Sequence, residues 1–325
     1  MARYTERAEN TARILDVNVQ RSLVPQAPSA IEAGWRGTLE MFELMPAFSA
    51  RYSGCEGDAV LSFMIQDSAN PSSIVSCVRA ARENARAVRT SLTTDVFETH
   101  NLTWLELQRI LAEGLPARDP SQFFDWVKFR SHLSRGVTIG TMLRDEALHF
   151  ARMGTFLERA DNTARLLDVR FHGSRTAALS TARDDYYHWT SVLRSCSAFE
   201  IYRKTYRDVI TPERVAQLLI LRSDMPRSLA ASIDEVCVNL DLVGDDRSLE
   251  TRRRAGLLRA ELKFGRIEDI LESGLHQWLT GFLARVADLG ERIAKDFLVP
   301  IVGSDQPDGG APQLGQVATE AQLGG

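Results

Sequence analysis

Apolar residues recur along most of this chain with the 3.6-residue spacing of amphipathic helices, and sustained alternation of period two is absent. The stretches from Phe123 to Val137 and from Ile267 to Phe297 hold the pattern over several turns. Breaker-rich segments between such stretches predict loops: Leu23 to Ser29, Gly114 to Pro120, Gly173 to Thr176 and Gly244 to Arg247. The pattern predicts an all-α protein, a helical bundle.

One amphipathic segment occurs twice. Glu6-Arg-Ala-Glu-Asn-Thr-Ala-Arg-Ile-Leu-Asp-Val17 returns 152 residues later as Glu158-Arg-Ala-Asp-Asn-Thr-Ala-Arg-Leu-Leu-Asp-Val169, with ten of twelve positions identical. Trp35 and Leu39 correspond to Trp189 and Leu193, and Pro71 and Ser73 to Pro226 and Ser228. The stretch from about 95 to 140 has no clear match in the second half. The expectation is a bundle of two pseudo-repeated halves: 1–140, then 141–302 with the second motif, then a tail over 303–325.

The helical phase shows what repeats. At about 100° per residue, Tyr4, Ala8, Ala12 and Leu15 form an apolar stripe, and Phe156, Ala160, Ala164 and Leu167 repeat it. Glu6, Asn10 and Arg13 lie on the opposite side, repeated as Glu158, Asn162 and Arg165. Arg7 with Thr11, and Arg159 with Thr163, form a second polar ridge. A solvated face has no reason to keep these identities, whereas a dehydrated carboxylate, amide or guanidinium must each find a partner.

Beside a plain solvated i,i+4 network, two arrangements account for such a strip. The motif helices can pack together as a buried ion-pair lattice, with Glu6 expected near Arg165 and Glu158 near Arg13. Alternatively the strip lines a pocket for an anionic or carboxylate-bearing ligand, bound by Arg7, Asn10, Arg13, Arg159, Asn162 and Arg165, with Glu6 and Glu158 as the acid/base candidates.

At these residues the chain resembles the bacterial alpha-E domain family, helical proteins with a Glu-Arg motif. The resemblance extends through Asp67 to Ser73, Ala81 to Arg89 and Gly140 to Asp145, and covers nearly all of residues 1–300. It implies a genomic setting and no established chemistry. Family members resemble components of clusters that hold a circularly permuted ATP-grasp ligase-like protein, a transglutaminase-like protease and sometimes a proteasome-like peptidase. That setting implies peptide or amide-bond synthesis and processing. The resemblance also implies an earlier start. The segment from Leu143 to Gly154 should extend the second motif helix by about three turns, whereas only Met1, Ala2 and Arg3 precede Tyr4. The expectation is that Met1 is internal and the first helix lacks its leading turns.

Composition narrows the class without adding chemistry. A hydrophobic content of 44% with 25% charged residues is ordinary for a globular protein. A formal charge of −4 offers no general attraction to nucleic acid or to an anionic membrane. No basic-then-apolar leader opens the sequence and no apolar run reaches the ~20 residues of a membrane span, so a cytoplasmic location is expected. Cys55, Cys77, Cys196 and Cys237 lie far apart without a CxxC pair, which predicts free, mostly helical thiols. Neither metal nor cofactor is expected: the six histidines show no HExxH, and P-loop, GxGxxG and GxSxG motifs are missing.

Secondary candidates have plain explanations. Asn70 followed by Pro71 predicts a helix N-cap and first position, with Ser72 and Ser73 beside it; Met225 and Arg227 replace Asn70 and Ser72 in the second half. Arg82, Arg86 and Arg89 share a ridge that predicts a solvated or ion-paired face. Asp145-Glu146 is the best further carboxylate pair, but neighbours on a helix diverge by about 100°. The Gly-, Pro- and Gln-rich segment from Gly303 to Gly325 predicts disorder. Two functional readings follow: an accessory or scaffold component of an ATP-grasp-linked amide-bond system, or an enzyme working between the two Glu-Arg helices.

Overall fold

The structure is a computed structural model and describes residues 1–172 and 182–297. Among these residues there are sixteen α-helices and no strand. The first eight are α1 (Ala2–Ser22), α2 (Pro28–Met41), α3 (Met45–Ser49), α4 (Gly57–Ile65), α5 (Ile74–Ala87), α6 (Thr94–Ala112), α7 (Leu115–Arg118) and α8 (Pro120–Thr141). The rest are α9 (Glu146–His172), α10 (Ala182–Ser195), α11 (Phe199–Tyr206), α12 (Pro212–Ile220), α13 (Leu229–Val243), α14 (Leu249–Phe264), α15 (Ile267–Glu272) and α16 (Leu275–Phe297). No described helix is long and apolar enough to cross a membrane. The predicted loop at 173–176 and the tail lie outside the described residues.

Local chemistry sets the boundaries. Proline opens α2, α8 and α12, where a missing N–H costs nothing, and the side chains of Asp119 and Thr211 cap the latter two. The continuous pattern read from Ile267 to Phe297 is broken in the structure: α15 stops and α16 begins around Gly274, whose φ of 90° suits glycine alone. Periodicity missed this because a two-residue break hardly disturbs the apolar spacing.

The predicted helix start at Pro71 is also corrected. Helix α5 begins at Ile74, and Ser73 is its cap, accepting from the Ser76 N–H. Asn70 is instead fully buried, accepting from the Ser72 N–H and donating to the Phe63 carbonyl. It braces the turn ahead of the helix. Ser228 caps α13 in the same way through the Ala231 N–H, so the capping role falls on serine at both positions.

Two hydrophobic clusters form the interior. Leu15, Leu39, Phe63, Leu107 and Phe123 belong to one, and Leu167, Leu193, Leu219, Ile233 and Phe282 to the other. Each such side chain, fully buried, contributes roughly 2 kcal/mol. Ile14 and Met41 cross over and pack in the second cluster. The helices cross over too: α2 packs chiefly on α9, and α10 chiefly on α1. Helices α1 and α9 pack directly on each other at the centre, where α1 also meets α5 and α8, and α9 meets α13 and α16. The two repeated motifs therefore meet at the middle of the molecule.

Candidate functional site

Where α1 and α9 cross, the two Glu-Arg dipeptides exchange partners. Arg159 donates from Nε and Nη2 to the two carboxylate oxygens of Glu6, at 3.0 and 3.1 Å. Arg7 donates in the same two-pronged way to Glu158, at 2.5 and 3.0 Å. Both carboxylates are buried, at 1% and 4% exposure. Parallel N–H bonds from a planar guanidinium are the strongest geometry available to such a pair.

The expected pairs, Glu6 with Arg165 and Glu158 with Arg13, do not form. Helical phase identifies the buried face but not the height at which two helices cross, and the dipeptides themselves sit at the crossing. Arg13 turns to Glu9, one turn earlier on its own helix, and to the Ser197 hydroxyl. Arg165 does the equivalent, reaching Asp161 and then Glu43. Ser197 and Glu43 both hold left-handed backbone, with φ of 52° and 57°. A non-glycine residue pays about 1–2 kcal/mol for that conformation. Ser197, in the turn after α10, is held by Arg13 of α1, and Glu43, in the turn after α2, by Arg165 of α9.

Around Glu6 the network widens. Arg227 donates to Glu6, Glu9 and Asn10, and Arg135 donates from one nitrogen to Glu6, Glu9 and Ser131. Two carboxylates thus meet four guanidiniums, those of Arg13, Arg135, Arg159 and Arg227. Burial would raise the Glu6 carboxyl, but Arg227 and Arg159 outweigh it and hold the group below its ordinary value. Glu9 is held well below, against burial, by the hydrogen bond with His132 and by Arg227, Arg135 and Arg13.

The other side is poorer. Glu158 receives Arg7 and the half-exposed Arg3. Position 72, equivalent in the repeat to Arg227, is serine, and its hydroxyl only accepts from Arg7 at 3.4 Å. Asn10 receives Arg227, whereas its counterpart Asn162, at 6% exposure, leaves Oδ1 without a partner among the described residues. Thr163 donates to the Arg227 carbonyl, but the buried Thr11 hydroxyl has no equivalent acceptor. Burial pushes the Asp161 carboxyl up, only partly offset by Arg165.

Of the predicted site residues, Glu6, Arg7, Asn10, Glu158, Arg159 and Asn162 come together at the crossing. Arg13 and Arg165 flank it as brackets to the neighbouring turns. Sequence reasoning missed Glu9, Arg135 and Arg227 as members. Glu9 and Asp161 repeat as a carboxylate, which was a usable signal. Arg227 replaces Ser72 and looked like a departure, and Arg135 lies in the stretch with no counterpart. Arg82, Arg86 and Arg89 turn away from the crossing: Arg82 bonds Asn101 and Glu83, Arg86 lies by Glu83, and Arg89 covers Phe97. Asp145 caps α9 by accepting from the Leu148 N–H.

A cleft of about 310 Å³ opens between α1, α8 and α9 against the Glu6–Arg159 pair. Met1, Ile139 and Phe156 supply apolar wall, and Arg135, Arg152 and Arg159 supply cationic wall. The Phe156 ring lies under both the Arg159 and the Arg152 guanidiniums, at 5.1 and 5.8 Å. A larger hollow of about 550 Å³ near Val19 and Asp119 adjoins neither motif.

The four cysteines are free and buried; Cys77 and Cys237 are helical, whereas Cys55 lies in the irregular segment before α4 and Cys196 in the turn after α10. Burial raises the Cys77 and Cys237 thiols to about 12 and that of Cys196 to about 11, so they are poor nucleophiles. No cluster of three or more metal-ligating side chains is present among the described residues.

Fold and site together define a class: an all-α protein whose two Glu-Arg dipeptides interlock at the centre. The chain belongs to the Alpha-E family, described as a predicted alpha-helical domain with a conserved ER motif, whose family model matches residues 1–298. It is similar to uncharacterized proteins of Mycobacterium bovis and Mycobacterium tuberculosis, at 24% identity over 348 residues, covering 94% of this chain. The chain spans 37% of the length of those relatives. No solved structure matches it.

Proposed function

We propose that this protein is an accessory, binding or scaffold component of a bacterial ATP-grasp-linked system for peptide or amide-bond synthesis and processing. The observation that carries the binding reading is the exchange of Glu6 and Glu158 between arginines of the opposite motif. A general acid or base needs a carboxyl free to take and release a proton near neutral pH. Glu6 is held ionised by its guanidiniums, and both oxygens of Glu158 are spent on arginine. The enzyme alternative, with a mixed Glu/Arg active site, has less to work with.

In this reading the two motif helices fasten two related halves, 1–140 and 141–302, into one rigid body. The partners are a circularly permuted ATP-grasp ligase-like protein and a transglutaminase-like protease, in the cytoplasm. Affinity purification of the chain from its native host tests this. Stoichiometric recovery of the ligase-like protein supports it. Turnover of a peptide substrate by the isolated chain, abolished by Glu158→Gln with the circular dichroism spectrum unchanged, would overturn it.

A further inference from the structure

The cleft beside the Glu6–Arg159 pair is where the charge of the central network is out of balance. The carboxylates of Glu6 and Glu9 face four guanidiniums, an excess of two positive charges in a largely dehydrated place. Lattices built only for rigidity gain most when charges match, because an uncompensated buried charge is expensive.

The uncommitted donors point to the same cleft. Every nitrogen of Arg159 has an acceptor: Nε and Nη2 donate to Glu6, and Nη1 donates to the Pro226 carbonyl. Arg135 bonds through Nη1 alone, leaving Nε and Nη2 without an acceptor among the described residues. Among the described residues Arg152 bonds through Nη2 alone, to Glu235. Both residues line the cleft, from α8 on one wall and α9 on the other. Between them lie Phe156, Ile139 and Met1, an apolar surface that a fully hydrated inorganic anion does not need.

We infer that this cleft binds a small carboxylate carrying an apolar body, held by the free donors of Arg135 and Arg152 with the body against Phe156 and Ile139. The free C-terminus of a short peptide ending in an apolar residue has this chemistry. The inference rests on the binding reading above, but it does not depend on the ligase association. Failed co-purification and failed ligand binding are separate results.

The test is calorimetric titration of the full chain with N-acetylphenylalanine, with its neutral amide, N-acetylphenylalaninamide, and with inorganic phosphate. The acid is expected to bind, and the amide and phosphate each to bind at least about tenfold more weakly. Arg152→Gln breaks the partly exposed pair with Glu235 and the contact of the guanidinium with the Phe156 ring, and is expected to weaken the acid by at least about tenfold. Ala151→Phe, which fills the cleft from α9, is expected to abolish binding while the thermal midpoint stays close to that of the parent. Equal binding of acid and amide, or no binding of the acid, overturns the proposal. Phosphate binding as tightly as the acid would make the site a general anion site and overturns it as well.

Discussion

Arg7 grips Glu158 across the centre of the molecule, Nε to Oε1 at 2.5 Å and Nη2 to Oε2 at 3.0 Å, while Glu6 beside it is gripped by Arg159. Adjacent residues on one helix thus bind adjacent residues on the other in swapped order. A Glu-Arg dipeptide present twice satisfies itself, because each copy supplies one acid and one base to the crossing. The repeat is needed for the chemistry of the interior to close.

Removing one partner leaves the other charge buried. Glu158→Gln is therefore expected to cost about 3–5 kcal/mol in urea unfolding, and Glu6→Gln at least as much because three guanidiniums converge there. Arg3→Gln, on a half-exposed pair with the same Glu158, should cost no more than about 1 kcal/mol. A double-mutant cycle on Arg159 and Glu6 showing no coupling would refute the exchange.

Ser72→Arg is expected to stabilise the protein by roughly 1 kcal/mol, an uncommon direction for a substitution near the core. The new guanidinium would supply the orphaned Asn162 oxygen and the raised Asp161 carboxyl, as Arg227 supplies Asn10 and Glu9. The gain in thermal midpoint should vanish in an Asn162→Ala, Asp161→Ala background. Persistence of the gain there would assign it to some other contact.

How much of this was legible in the sequence follows from what repeats. The all-α class and the burial of the polar strip were readable, and six of the eight residues singled out from the repeat lie at the crossing, because identical charged positions at helical spacing require a common environment. The pairing was not. Which arginine meets Glu6 depends on where α1 and α9 cross, and helical periodicity fixes a buried face but not the height of a crossing. Arg135 was invisible because nothing repeats around it.

Stability should fall in two stages on acidification. Burial, with the nearby N-terminal amine and Arg130, lowers His100 from 6.5 to about 4. The unfolded chain takes up that proton first, so stability present above pH 6.5 is lost as pH falls toward 4, up to about 3 kcal/mol. Glu6 and Glu9 are depressed from 4.5, so their contribution is present above that value and is lost only as pH falls through their lower folded values. Urea midpoints measured from pH 8 to 3 should show the upper stage disappear in His100→Gln. An unchanged upper stage in that variant would place the titration elsewhere.

The two serine caps should behave alike. Ser73→Ala and Ser228→Ala each remove one acceptor from a helix N-terminus and are expected to cost about 1 kcal/mol. Asn70→Ala should cost more, because it leaves the buried Phe63 carbonyl and Ser72 N–H without their partner. Equal losses at Asn70 and Ser73 would argue that Asn70 acts as an ordinary cap.

The swapped pairs have a consequence for how the chain is made. Arg7 and Glu158 are 151 residues apart, and Arg227 lies 221 residues beyond Glu6. Closing loops of that length costs on the order of 4–5 kcal/mol in chain entropy, repaid only when the last contact forms. During synthesis at about 5–20 residues per second, α1 therefore waits on the order of ten seconds or more with its acids unmatched. Of the two motif helices, the one made earlier waits for the other, and a nascent chain stalled before residue 227 would hold in water the Glu6 and Glu9 carboxylates that the finished protein buries.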